Sequence, residues 1–291
     1  MDEKWGFAEG DPITAELTAL RLLGGGAAYE AYLAFDEITW SPVVVKVLRP
    51  DQVADSSSLR GLRREAQALA RINHPVVVRG LRHEAEGERP HLVLEQVDGP
   101  RLSSLIRRYG PLQAAQYLPL AIDIASALHY FRHIDYVHLD IKPSNVIMGA
   151  PARLIDLSVA RTVEAAAELR HLIGTDAYMA PEQCQPVADN APGPASDVWG
   201  LGATLFHAVT GRRPFRSGDP DADALDDRFP QVAKEPRELP DDVPAPVRKV
   251  VSACLEHRPE DRPLPREITE ALEPVLAALP RGHLAGFRLG R

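Results

Sequence analysis

Apolar positions change their period twice along the chain, and the two changes divide it. From Leu20 to Val47 the pattern is that of strands: Leu22-Leu23, a Gly24-Gly25-Gly26 turn, an Ala/Tyr alternation through Leu33, then Val43-Val44-Val45-Lys46-Val47. Leu59, Leu62, Ala66, Leu69 and Ile72 then recur at helical spacing behind the capping run Asp55-Ser56-Ser57-Ser58, and Asn73-His74-Pro75 ends that helix. Two further strands are predicted, over Val76 to Arg82 and His91 to Val97.

After Asp98-Gly99-Pro100 the helical period dominates. Helices are predicted over Leu102 to Tyr109, Ala114 to Phe131, Val247 to Leu255 and Leu264 to Leu279, with a short β-rich interlude at Val137 to Leu157. Val198 to Val209 is apolar or small around almost its whole circumference, which predicts a helix at the centre of the second unit. The acidic, Pro-rich stretch from Arg216 to Pro246 reads as a surface connection. These patterns place an N-terminal extension at 1–17, a mostly β unit at 18–97, a mostly helical unit at 98–276 and a tail at 277–291. The fold class is α+β.

Composition narrows the function. Hydrophobic residues make up 45% of the 291 positions and charged residues 25%, enough apolar material for a substantial core. Acidic residues outnumber Lys and Arg by 41 to 33, a net charge of -8, which argues against a nucleic-acid binder. The two cysteines, Cys184 and Cys254, have no metal-ligand spacing and suit a reducing compartment. No stretch reads as a signal peptide or membrane span, so a cytoplasmic protein without membrane contact is expected.

Only five of the basic residues are lysines, and two of these sit in apolar surroundings. Lys46 lies inside a valine run, where a buried ammonium needs a carboxylate partner; Glu65, on the helix side shared with Leu62 and Leu69, is the candidate. An edge strand with Lys46 in water is the alternative. Lys142 lies in Val137-His138-Leu139-Asp140-Ile141-Lys142-Pro143-Ser144-Asn145-Val146, followed by Asp156 between Ile155 and Leu157. A carboxylate beside a transferable proton, an ammonium for developing negative charge, and an Asn–Asp pair for a divalent cation are what phosphoryl transfer requires. A solvated turn would explain the polarity of this segment but not its apolar flanks. The glycine cluster, whose exposed N–H groups could approach phosphate oxygens, is by itself equally a flexible hairpin.

The order of these features carries a resemblance. The glycine turn, Val43-Val44-Val45-Lys46, Glu65, His138-Leu139-Asp140 with Lys142 and Asn145, and Asp156-Leu157-Ser158 come in sequence. Gly174-Thr175 through Ala180-Pro181-Glu182, Asp197-Val198-Trp199-Gly200 and Arg262 follow. From about Leu20 to Leu276 the chain resembles the catalytic domain of bacterial, eukaryotic-type serine/threonine protein kinases. That resemblance implies a bilobal fold: a small five-stranded antiparallel β lobe with one helix, and a larger, mainly helical lobe. It implies ATP and magnesium, with manganese as an alternative, and protein substrates bearing Ser or Thr acceptors; a regulatory partner or dimer is left open. With no sensor domain or anchor expected, control would come from the ends, the acidic loop or such a partner.

Residue by residue, the resemblance implies that Lys46, paired with Glu65, holds the α- and β-phosphates. Asp140 accepts the substrate's hydroxyl proton, Lys142 stabilises the transferred phosphate, and Thr175 holds Asp140 and Lys142 together. Asn145 and Asp156 ligate the metal. Leu23, Gly24, Gly25, Gly26, Ala31 and Val44 cover the nucleotide. Leu94, Glu95, Val97 and Ile147 surround the adenine, with Glu95-Gln96-Val97 as the hinge and Leu94 guarding the back of the pocket. Asp197 anchors the catalytic loop, and Glu182 pairs with Arg262.

Three positions depart from the family pattern. Tyr29 and Ala31 replace the third loop glycine and the following valine, predicting weaker nucleotide affinity; the Tyr29 ring either holds the loop away from the phosphates or folds over them. Leu139 replaces the arginine that reads a phosphate on the activation segment, and Val159 to Gly174 offers only Thr162 as an acceptor. Activity independent of loop phosphorylation is therefore expected. Leu157-Ser158 replaces an aromatic-glycine pair and restricts the backbone there. A non-catalytic pseudokinase scaffold is the alternative reading, and a small-molecule kinase a third.

Overall fold

Why Lys46 faces a cleft follows from strand register. The computed structural model describes residues 3–187 and 190–280; the last eleven residues of the expected tail lie outside them. β1 (Leu17–Gly25), β2 (Tyr29–Asp36) and β3 (Ser41–Leu48) form an antiparallel meander. β4 (Gly80–Glu84) and β5 (His91–Glu95) complete a five-stranded sheet in the order β1-β2-β3-β5-β4. Tyr29 pairs with Leu48, Ala31 with Lys46 and Val44 with Leu94. Side chains alternate across a sheet, so Tyr29, Ala31, Val44 and Lys46 share one face. Tyr32, Ala34, Val43, Val45 and Val47 point the other way and are buried.

That second face is covered by the chain's own start. Ile13 is fully buried on it, Trp5 and Phe7 pack beside it, and the Trp5 indole donates to Leu48 O at 2.7 Å. Arg89 lies over both rings and donates to the carbonyls of Pro12 and Ile13. The segment expected as an N-terminal extension is thus part of the sheet's core, and β1 begins three residues before the expected first strand.

α1 (Ser56–Arg71) begins at the expected cap, with Ser58 N–H donating to Asp55 Oδ2 at 2.7 Å. It buries Leu62, Glu65, Ala66, Ala68 and Leu69. The helical half contains α2 (Leu102–Tyr109) and α3 (Ala114–His133), then the short α4 (Val163–Ala167) and α5 (Pro181–Cys184). α6 (Pro194–Thr210), the four-residue α7 (Leu225–Arg228), α8 (Ala245–Cys254) and α9 (Pro265–Ala277) follow. Buried residues ring α6, as its all-round apolar sequence predicts. Gly200 lets the Ile141 segment approach α6: a Cβ on Gly200 would stand 2.9 Å from Ile141 Cβ.

Glu182 and Arg262 meet through two hydrogen bonds, 2.6 and 2.9 Å, with side chains at most 1% exposed. Ser196 Oγ also donates to Glu182, so the buried charge is shared among three groups. The stretch Arg216 to Pro246, expected as a surface connection, is only partly one. Phe229 is buried, and the buried Gln231 donates to the carbonyls of Asp176 and Met179. Acidic composition concealed this inward-facing segment.

Candidate active site

On the cleft face of β3, the Lys46 ammonium lies 2.7 and 2.8 Å from the Glu65 carboxylate oxygens and 2.9 Å from Asp156 Oδ1. The edge-strand alternative is excluded, since the Lys46 side chain is 13% exposed and that of Glu65 only 1%. Burial works against the Lys46 charge, but Glu65 and then Asp156 outweigh it and hold its pKa above the ordinary lysine value. Burial also opposes ionisation of Asp156; Lys46 overcomes this and keeps the carboxyl well below its usual range. Asp156 adopts φ 71°, a left-handed backbone that Asp tolerates better than most residues. Its side chain stays 36% exposed, open to a further ligand.

The catalytic-loop candidates form a second cluster. The backbone N–H groups of His138 and Leu139 each donate to the buried Asp197 carboxylate at 2.7 Å, fixing the loop to α6. Lys142 Nζ donates to Asp140 Oδ2 at 2.7 Å and to Thr175 Oγ1 at 2.5 Å, and Thr175 donates to Asp140 Oδ1 at 2.8 Å. Asn145 Nδ2 donates to Asp140 O and Oδ2, both at 3.0 Å. With Nδ2 committed to Asp140, the Asn145 amide oxygen makes no hydrogen bond among the described residues, and neither does Asp156 Oδ2. Two hard oxygens of this kind suit Mg²⁺ or Mn²⁺. No group of three or more His, Cys, Asp or Glu side chains converges on a metal site among the described residues. An ion bound chiefly through a phosphate ligand and one or two protein oxygens fits that donor set.

Ala31 and Val44 are half-buried on the cleft face, Leu94 is buried behind it, and Ile147 is buried in the other half. Val97 packs partly into the core. Glu95 directs its carboxylate to Arg79 and, through a short bond, Arg153, and its backbone N–H donates to Arg79 O at 3.0 Å. Leu23 and Gly24–Gly26 are exposed at the β1–β2 turn.

Each departure has a visible consequence. The Tyr29 ring folds beneath the turn, its centroid 5.0 Å from Lys46 Nζ. Leu139 is 3% exposed at φ 63°, and packs with Val137, Ala166 and Leu169, bordered by Val159, Val163 and Ile173. An apolar plug therefore surrounds Leu139, the position where the resemblance implies a phosphate-reading arginine. Leu157 is fully buried, and the Ser158 N–H donates to Asp156 Oδ1 at 3.3 Å. Sequence reasoning missed Gln183, whose amide nitrogen donates to the carbonyls of Leu139 and Ile173. It also missed Gln231, which braces the 176–179 segment; a lone glutamine carries no pattern that would reveal either. Cys184 is buried against Gln231, and burial pushes its thiol up to about 12.

The family model described as protein kinase domain matches residues 17–272. Serine/threonine-protein kinase PkaA of Streptomyces coelicolor is 34% identical over 240 residues, covering 80% of this chain and 43% of that protein. Serine/threonine-protein kinase PknB of Mycobacterium tuberculosis is 30% identical over 297 residues, covering 92% and 47%. PknA of the same species is 31% identical over 251 residues, covering 83% and 57%. The chain belongs to the protein kinase domain family and has its bilobal α+β fold. It spans only about half the length of these curated relatives.

Proposed function

We propose that the chain is a serine/threonine protein kinase domain that transfers the γ-phosphate of ATP to Ser or Thr hydroxyls of protein substrates. The observation that carries this reading is the joined cluster of Asp140, Lys142, Thr175 and Asn145 facing a formed Lys46–Glu65–Asp156 triad. Residues 18–97 form the small lobe and 98–276 the large one, with the cleft between them for the nucleotide. Leu23, Gly24–Gly26, Ala31 and Val44 cover the nucleotide from above. Leu94, Ile147 and the Glu95–Val97 backbone enclose the adenine.

Lys46 binds the α- and β-phosphates while Glu65 keeps its ammonium in place. Asp140 orients the acceptor hydroxyl and takes its proton, and Lys142 offsets charge on the phosphoryl group as it moves. Asn145 and Asp156 hold the magnesium, which neutralises phosphate charge when bound. The chain's acidity suits protein partners better than nucleic acid, and two buried free cysteines suit the cytoplasm. Among the described residues no helix is long and apolar enough to cross a membrane.

The apolar plug at Leu139 supports activity without phosphorylation of the activation segment, because packing replaces the ionic contact that a phosphate would make. Transfer of labelled γ-phosphate to a generic protein substrate tests the main reading. Asp140→Asn is expected to lower the signal at least about a hundredfold. Equal background from both proteins would establish the pseudokinase reading instead.

A further inference from the structure

We propose that Tyr29 is a positioning residue: its ring braces α1 against β3 from beneath the glycine turn and so keeps Lys46 and Glu65 together. The inference rests on the kinase reading for what that pair does, but the contacts themselves stand independently.

Three observations converge on Tyr29. Through its backbone it closes the turn: Gly26 N–H donates to Tyr29 O at 3.0 Å, and a Cβ on Gly25 would stand 2.4 Å from that same oxygen. Through its ring it faces Lys46, whose Nζ lies 5.0 Å from the centroid, inside the range of about 6 Å at which an aromatic face attracts a cation. At its tip, Tyr29 Oη would lie 3.5 Å from a Cβ placed on Gly61 of α1. Gly61 is one helical turn before Glu65, on the same side of α1. One side chain therefore spans from the nucleotide turn, past the ammonium, to the helix that carries its carboxylate partner.

The opposite face of the sheet fixes the base of this brace. Trp5 N–H donates to Glu30 Oε2 at 3.1 Å, next to Tyr29 in β2. The Trp5 indole donates to Leu48 O, and Leu48 is the residue paired with Tyr29 across β2 and β3. The end of the hairpin is held from outside, so the ring has a firm base from which to press on α1. Burial, and then Glu65, push the Tyr29 hydroxyl up to about 12, so it stays neutral and does not compete with Glu65 for the ammonium. The ring lies against Lys46 and near Gly61 of α1, which adds a positioning role to the expected effect on nucleotide affinity.

The test compares the full chain with Tyr29→Phe and Tyr29→Gly. It measures kcat and the KM for ATP on a generic protein substrate, together with hydrogen exchange of α1 amides relative to those of α3. Tyr29→Gly is expected to lower kcat about tenfold with KM changed less than about twofold, and to speed exchange in α1 but not in α3. Tyr29→Phe keeps the ring over Lys46 but loses the hydroxyl nearest Gly61, so its kcat is expected to fall between those of the parent and of Tyr29→Gly. If Tyr29→Gly loses its cooperative thermal transition, Tyr29→Leu decides: a kcat loss at constant KM supports the brace, and parent kinetics overturn it. The proposal is also overturned by a Tyr29→Gly effect confined to KM, by unchanged α1 exchange, or by Tyr29→Phe failing as badly as Tyr29→Gly. A parent chain with no turnover sinks the kinase reading alone, and the α1 exchange comparison then decides whether the brace exists.

Discussion

Thr175 donates its hydroxyl to Asp140 Oδ1 at 2.8 Å while accepting from Lys142 Nζ at 2.5 Å, so one side chain of the activation segment completes the catalytic loop. Neither contact survives loss of the hydroxyl. Thr175→Val keeps the shape and removes the bond, leaving Asp140 and Lys142 paired but free to turn. A hydrogen bond to a charged group contributes about 2 kcal/mol, so kcat should fall roughly thirtyfold with little change in KM. Thr175→Ser should recover most of the loss in steady-state kinetics. Equal kcat for Thr175→Val and the parent would show that Asp140 is positioned without it.

The apolar plug around Leu139 makes a second expectation. Turnover should survive exhaustive phosphatase treatment, because Leu139, Ala166 and Leu169 hold the segment without a phosphate. Leu139→Ala should cost about 3 kcal/mol of stability, read from denaturant unfolding. It should also increase proteolytic cleavage between Thr162 and Gly174. Phosphatase treatment that abolished turnover, with the lost phosphate mapped to Thr162, would contradict the plug's role.

Much of this was legible in the sequence, for physical reasons that differ by residue. Lys46 and Glu65 could be paired in advance because a buried ammonium demands a carboxylate and the helical period put Glu65 on the inward side. Asp140, Lys142, Asn145 and Asp156 stood out through their order and apolar flanks. The covering strap from Trp5 to Ile13 did not, because a few aromatic and apolar residues among charges have no period to read. Gln183 and Gln231 were invisible for a related reason: each satisfies backbone carbonyls brought near by tertiary packing alone. The proximity of the Tyr29 ring to Lys46 was not among the expected alternatives, because it depends on where β3 and α1 meet in the fold.

The pair Asp36–Arg82 ties β2 to β4 and sets an acid limit on the small lobe. Arg82 donates to both Asp36 oxygens, at 2.6 and 2.7 Å, and the Asp36 side chain is fully buried. Hydrogen bonding from Arg82 holds the Asp36 carboxyl far below its ordinary value. A depressed folded pKa means that the contribution is present above the unfolded pKa of about 4 and is lost as pH falls through and below it. Asp36→Asn should lower the thermal midpoint at pH 7 by about 4 °C, and the gap between variant and parent should shrink below pH 4. A gap that stayed constant down to pH 2 would mean that this carboxylate is not the acid-sensitive group.

Asp156 serves two partners at once, and the two can be separated experimentally. Its Oδ1 accepts from Lys46 and from the Ser158 N–H, while the side chain remains 36% exposed. Lys46 keeps both Glu65 contacts if Asp156 becomes neutral, so its ammonium stays in place in Asp156→Asn. What that variant loses is the negative oxygen for a divalent ion. The parent's affinity for ATP should therefore rise when magnesium is added, and turnover should stop when the metal is chelated. In Asp156→Asn, the metal-free affinity should be kept within about threefold while the magnesium-dependent gain disappears. Calorimetric titration with and without magnesium separates these effects. A variant that still gained affinity from magnesium as the parent does would place the ion on Asn145 and the nucleotide alone.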